Sequence, residues 1–234
     1  MSEFLRRHLF LCLWGRHSFW RVQSREVPSP NGPFPIHSHR AKMKPMSEIL
    51  VIARLRVMAT DAVLLGYRNQ LKDLEPNRTG LKGITSWRSI DADGGLMQIM
   101  RYESPEAADL GLRGLMESKL GPMVASVTID PPDVASIYPK KQHGKHIEDV
   151  PIGSFISFAI RFSDPGQQED LEMDTEEVLA ELSFIPGYLG SIWGNNVALP
   201  EEIVSIAMWS SQDALQSSIP NTHKVRVQKW QKAF

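Results

Sequence analysis

Leu96-Met-Gln-Ile-Met-Arg-Tyr102-Glu-Ser104-Pro-Glu-Ala107 returns 107 residues later as Ile203-Val-Ser-Ile-Ala-Met-Trp209-Ser-Ser211-Gln-Asp-Ala214. Each copy is an alternating apolar run closed by an aromatic residue, followed by x-Ser-x-acidic-Ala. The same offset links Gly80-Leu-Lys-Gly83 to Gly187-Tyr-Leu-Gly190. It also links Ile49-Leu-Val-Ile-Ala-Arg54-Leu55 to Ile156-Ser-Phe-Ala-Ile-Arg161-Phe162. Three blocks on one offset are a rare accident of short apolar runs, so the chain reads as two copies of one supersecondary unit.

Each copy reads strand, helix, strand, strand, helix, strand. The first strands alternate, as do the third strands at 96–102 and 203–209. Thr60 or Asp61 caps a helix to about Leu74, and Ser163-Asp164-Pro165 opens one to about Phe184. Further helices follow at Pro105 to about Lys119 and Gln212 to about Ser217. The last strand is clear at Val225–Trp230 and lies somewhere within Val124–Tyr138 in the first copy. The glycine pairs at spacing three predict a bulge or close backbone approach. This order with both helices on one sheet face is ferredoxin-like. One unit leaves its second face bare, and Ile52, Met100, Tyr102, Ala159 and Trp209 are read onto that face. Burying such side chains is worth about 1.5–3 kcal/mol each. The predicted fold is therefore α+β, two tandem units packed sheet to sheet as an intrachain pseudodimer. The boundaries are 1–46 leader, 47–138 first unit, 139–151 polar linker and 152–234 second unit.

The 234 residues are 42% apolar and 23% charged, with net charge -1, as in ordinary globular proteins. Residues 1–46 carry +6 and the remainder -7. An acidic folded part argues against a nucleic-acid partner. Cys12 is the single cysteine, which rules out an internal disulfide and fits a reducing, cytoplasmic setting. The basic, proline-rich leader reads as disordered. It has no secretory-signal pattern and is too short in its apolar run to span a membrane. An organelle presequence, a surface-binding helix, or a true start at Met43 or Met46 are its readings, the last favoured because the repeat begins just after Met46.

The run Ile185-Pro-Gly-Tyr-Leu-Gly190 followed by 203–214 resembles the antibiotic-biosynthesis-monooxygenase-like domain of the dimeric α+β barrel superfamily. That family shows a Pro-Gly-Phe-x-Gly strand start, then a strand ending in aromatic-x-Ser before an acidic-Ala helix start. The first copy carries the marks more weakly, and the resemblance covers about 48–138 and 152–234. It implies a barrel of two units, here within one chain, and activities that include cofactor-independent oxygenation of quinols and anthrones, and oxidative haem degradation. The haem-degrading branch uses an Asn on the first strand; neither first strand has one, so those roles are not carried over.

On this reading the chain is a monooxygenase-like protein acting on an aromatic or quinol-type small molecule, with no cofactor and no metal. The alternative is a non-catalytic ligand-binding or stress-response module on the same barrel. A degenerate pseudodimer with one structural half, and a homodimer of pseudodimers, also stay open. Arg54 and Arg161, read as equivalent and inward-facing, are candidates to stabilise an enolate or phenolate oxygen, or else rim residues paired with carboxylates. Tyr102 and Trp209 are candidates to stack a flat ligand, or else core. In Trp193-Gly194-Asn195-Asn196, Asn195 is a candidate to hold a substrate oxygen under Trp193; the same residues also make a good turn. Arg161 and Asn195 are the catalytic candidates, with Arg54, Tyr102, Trp193 and Trp209 binding substrate. His143 and His146 lie among lysines, which disfavours a metal. His223 is an unpaired acid/base candidate.

Overall fold

The computed structural model describes residues 48–58, 65–66, 68–69, 80–91, 94–218 and 227–234. The leader, most of the expected 60–74 helix, and His223 lie outside the described residues. Eight strands form one closed barrel: β1 (Ile49–Arg56), β2 (Leu81–Ser89), β3 (Gly95–Tyr102), β4 (Asp133–Gly144), β5 (Phe155–Phe162), β6 (Tyr188–Asn196), β7 (Glu202–Trp209) and β8 (Gln228–Lys232). Four described helices lie outside it: α1 (Pro105–Glu117), α2 (Leu120–Val127), α3 (Gln168–Leu182) and α4 (Gln212–Ser218).

The strand order is β1-β3-β2-β8-β5-β7-β6-β4, closing back on β1. The expected sheet-to-sheet packing takes the form of edge closure. β4 pairs with β1 of its own unit and β6 of the other, and β8 pairs with β5 and β2. Closure leaves no open sheet edge, which two separate layers would. The segment read as linker from 139 begins as strand, because Pro139–Gly144 continues β4 along β6. Its polar side chains hid that: a ladder is made of backbone groups. Lys140 and Lys141 instead reach Glu172 and Glu176 on α3. Where a last strand was sought from Val124, α2 stands first.

The local devices follow from sequence. The register shifts at Leu81/Gly83 and Tyr188/Gly190, as the glycine pairs predict. Gly80 and Gly187 have φ of 77° and 91°. A Cβ on either would stand 2.5 or 2.6 Å from the Cβ of Ala107 or Ala214. Ser104 and Ser211 cap the helices by accepting from the N–H groups of those same alanines, both at 3.2 Å. The repeated Gly…aromatic-x-Ser-x-x-Ala pattern is therefore one packing unit: a glycine turn seated on the first turn of a capped helix.

The register corrects the repeat. Tyr102 pairs with Ile49 and with Leu81; Trp209 pairs with Phe155 and Tyr188. Tyr102 and Trp209 are 107 apart, as are Leu81 and Tyr188, but Ile49 and Phe155 are 106 apart. The first strands slip by one against the second and third strands. Because side chains alternate along a strand, a slip of one exchanges the faces.

Leu50, Ile52, Trp87, Met97, Ile99, Ile137, Ile156, Phe158, Ile192, Val204, Ile206, Met208 and Trp230 fill the barrel. Met100, Tyr102, Ala207 and Trp209 pack instead with helix residues on the outer wall. The expectation that Met100, Tyr102, Ala159 and Trp209 join Ile52 on the face between the units is thus corrected. Both faces are buried and apolar, one by the barrel and one by helices, so alternation alone does not say which is which. The turn at Ile147–Asp149, between β4 and β5, caps one barrel end, with Ile147 and Val150 in the interior cluster.

Candidate functional site

Two paired strands of the second unit carry small residues on their outer faces: Ser157 opposite Ala207, and Ala159 opposite Ser205. α3 crosses over them with Thr175, Val178, Leu179 and Leu182. The small residues leave a cavity of about 30 Å³ between sheet and helix, completed by Arg161 and Val227. That is room for about two water-sized groups.

Arg161 is half-buried, and its guanidinium donates to Thr175 Oγ1. The Thr175 hydroxyl in turn donates to the Leu171 carbonyl at 2.6 Å. Among the described residues Arg161 makes no ion pair; the charge of Asp174 acts on it without direct contact. Burial is the larger effect and lowers the Arg161 pKa, while Asp174 opposes it. Trp209 is fully buried behind the cavity. Its Nε1 donates to Ser157 Oγ at 3.2 Å, and its ring meets Tyr188 edge-on at 5.7 Å.

Four of the six candidates converge on this outer wall. Arg161 lines the cavity and Trp209 orients Ser157. Trp193 is 4% exposed in the same apolar cluster, with Lys140 Nζ 5.9 Å from its ring centre and the indole Nε1 without a partner among the described residues. Asn195 is a strand residue, not a turn; its Nδ2 donates to Glu172 Oε1 and to the Pro200 carbonyl, both at 3.1 Å. Burial would raise the Glu172 pKa, but Lys140, Asn195 and Gln168 outweigh it and hold the carboxyl low. Tyr102 occupies the matching outer wall of the first unit, fully buried against α1.

Arg54 stands elsewhere. It points into the barrel, 5.2 Å from the Phe158 ring centre, and pairs with Asp133. Its structural counterpart is Ile160, so the expected equivalence with Arg161 is corrected by the one-residue slip. Trp87 and Trp193 are separated by the same parity: Trp87 lies inside the barrel, Trp193 outside. His143 and His146 are exposed, and Gln142 Nε2 lies 2.8 Å from His146 Nδ1. Among the described residues no three His, Cys, Asp or Glu side chains gather as a metal site, and no helix is long and apolar enough to cross a membrane. Sequence reading missed Ser157, Thr175 and Ser205. Their signal was the run of small residues facing each other on β5 and β7.

No protein-family model matches the sequence, and no curated protein matches it. Solved structures do. A candidate monooxygenase from Fusobacterium nucleatum superposes with TM-score 0.61 at 13% identity, covering 81% of this chain and 94% of that one. An anthrone oxidase-like protein gives 0.60 at 12% identity, covering 80% and 92%. A candidate monooxygenase from Lactobacillus acidophilus gives 0.58 at 15% identity, covering 80% and 94%.

The fold is shared with these monooxygenase-like structures: a closed α+β barrel of two ferredoxin-like halves.

Both units of this barrel lie in one chain, so its halves are free to differ. The second half places a guanidinium, Ser157, Thr175 and Ser205 around a cavity. At the position of Arg161 the first half has Leu55, which packs with Val57, Leu96 and Val124.

Proposed function

We propose that the chain is a monooxygenase-like protein that oxidises an aromatic or quinol-type small molecule without a cofactor, with its reacting centre at the Arg161 cavity. One observation carries this reading: a half-buried guanidinium, free of any carboxylate contact among the described residues, faces a pocket otherwise lined by apolar groups and hydroxyls. A desolvated cation of this kind stabilises negative charge more than it would in water.

In such a reaction the substrate supplies the electrons. An anthrone-type CH₂ loses a proton to water, and its anion passes an electron to dioxygen. Recombination gives a hydroperoxide, which loses water to leave the carbonyl; one CH₂ and one O₂ become one C=O and one H₂O. The protein contributes orientation, water exclusion and charge stabilisation. A cavity of about 30 Å³ is too small for a ring, so the ring rests at its mouth while charge develops toward Arg161.

The test is oxygen uptake by the full chain with a panel of quinols and anthrones. Uptake above the spontaneous rate, reduced at least tenfold in Arg161→Gln, supports the reading. Uptake indistinguishable from the spontaneous rate with every substrate overturns it. A second reading, a non-catalytic binding module, is favoured by the cavity lining, which among the described residues contains no carboxylate or imidazole to act as a base. Saturable ligand binding without turnover would select it.

A further inference from the structure

We propose that the Arg161 cavity is a binding slot for a small monoanion of one or two heavy atoms. Three observations point there together. First, the size of about 30 Å³ has room inside for a halide or a diatomic and not for a ring. Second, the hydrogen-bonding capacity left over is that of donors. Ser157 is 7% exposed, its oxygen already accepts from Trp209, and no acceptor among the described residues takes its proton. Thr175 Oγ1 accepts from Arg161 and donates to the Leu171 carbonyl. Ser205 adds one more hydroxyl, and among the described residues no lining side chain is a carboxylate, amide or imidazole. Third, the positive charge is already partly desolvated and meets no carboxylate within ion-pair distance among the described residues, so an entering anion regains what burial cost the guanidinium.

The slot rests on the proposed function only for its occupant during turnover. There the anion is superoxide, formed when the substrate anion gives one electron to dioxygen and becomes a radical. The apolar walls of Ala159, Val178, Leu179, Leu182 and Ala207 accept the neutral gas, and the guanidinium holds the reduced form.

Bromide is the probe, being one heavy atom with anomalous scattering. Crystals of the full chain soaked in bromide are expected to show a peak between Arg161 and Ser157. In solution bromide is expected to raise Tm relative to matched acetate, with binding weakened at least tenfold in Arg161→Gln and severalfold in Ser157→Ala, both checked for native circular dichroism. Bromide only at surface cations, or equal stabilisation of wild type and Arg161→Gln, overturns the slot. If oxygen uptake occurs, bromide is expected to raise the oxygen concentration for half-maximal rate without lowering the maximal rate. Bromide binding without oxygen uptake leaves the slot standing and removes the oxygenase reading.

Discussion

The ammonium of Lys232 lies 5.9 Å from the ring centre of Trp87, inside the barrel and beneath the turn that joins the two units. Its Nζ donates to the carbonyls of Val150, Glu148 and Ile147 at 2.6, 2.9 and 3.4 Å. Arg101 holds the same turn from β3 by pairing with Glu148. The connector that makes one chain out of two units is thus pinned from within the barrel by the last strand.

Replacing Lys232 by Met therefore leaves three carbonyls short of a donor. The expected loss is about 2–4 kcal/mol, measured by urea unfolding, from unsatisfied buried groups at about 1–3 kcal/mol each with partial rescue by water. Burial lowers the Lys232 pKa, against the opposing charges of Glu148 and Asp149. The unfolded chain thus binds this proton more tightly than the folded one. This term favours folding increasingly as pH rises from the depressed pKa to the ordinary lysine value. That rise should be missing from the pH profile of Lys232→Met.

Gly111 on α1 faces the Tyr102 ring. A Cβ there would lie 2.6 Å from both Cε1 and the hydroxyl oxygen of a fully buried side chain. Gly111→Ala gains about 1 kcal/mol of helix propensity and meets overpacking of about 1–3 kcal/mol. Net destabilisation is expected because the ring is fixed in the core, and thermal unfolding measures it. Gly114→Ala on the same helix has nothing within 4 Å of the new methyl and should stabilise.

Trp209→Phe removes the bond to Ser157 and keeps most of the packing against Tyr188. A cost of about 1–2 kcal/mol is expected. Ser157, no longer held by Trp209, should also bind bromide more weakly, which separates its positioning role from simple packing.

Acid acts on Glu172. Its folded pKa is held below the ordinary carboxylate value. The stability it contributes is fully present above the unfolded value and is lost as pH falls through the folded one. Lys140 is 43% exposed, which limits the pair to about 1 kcal/mol or less. Glu172→Gln should be slightly less stable than wild type at neutral pH and converge with it in acid.

Arg54 and Arg161 give the last prediction. Arg54→Met removes a cation–π contact and a partly exposed ion pair, at about 1 kcal/mol, and should leave oxygen uptake and bromide binding unchanged. Arg161→Met should lose both. Equal losses in the two variants would place the reactive face inside the barrel instead.

Much of the fold was legible in the residues. The Gly80 and Gly187 turns and the alternation of β3 and β7 are short-range devices whose physics is complete within a few residues. The alternation and the glycine turns placed the first three strands of each unit and α1, α3 and α4 to within a few positions, and a doubled unit implied a paired barrel. The continuation of β4 through Pro139–Gly144 was not legible, because a ladder with β6 is made by backbone groups of a partner distant in sequence. The face of each side chain was not legible either. Arg54 and Arg161 align by eye, yet a single slipped residue sends one into the barrel and the other toward α3. In a chain whose sheet is buried on both sides, apolar alternation has two equally good solutions. Only the register between strands, fixed by closure of the barrel, chooses one of them and brings Arg161, Ser157 and Thr175 around a common space.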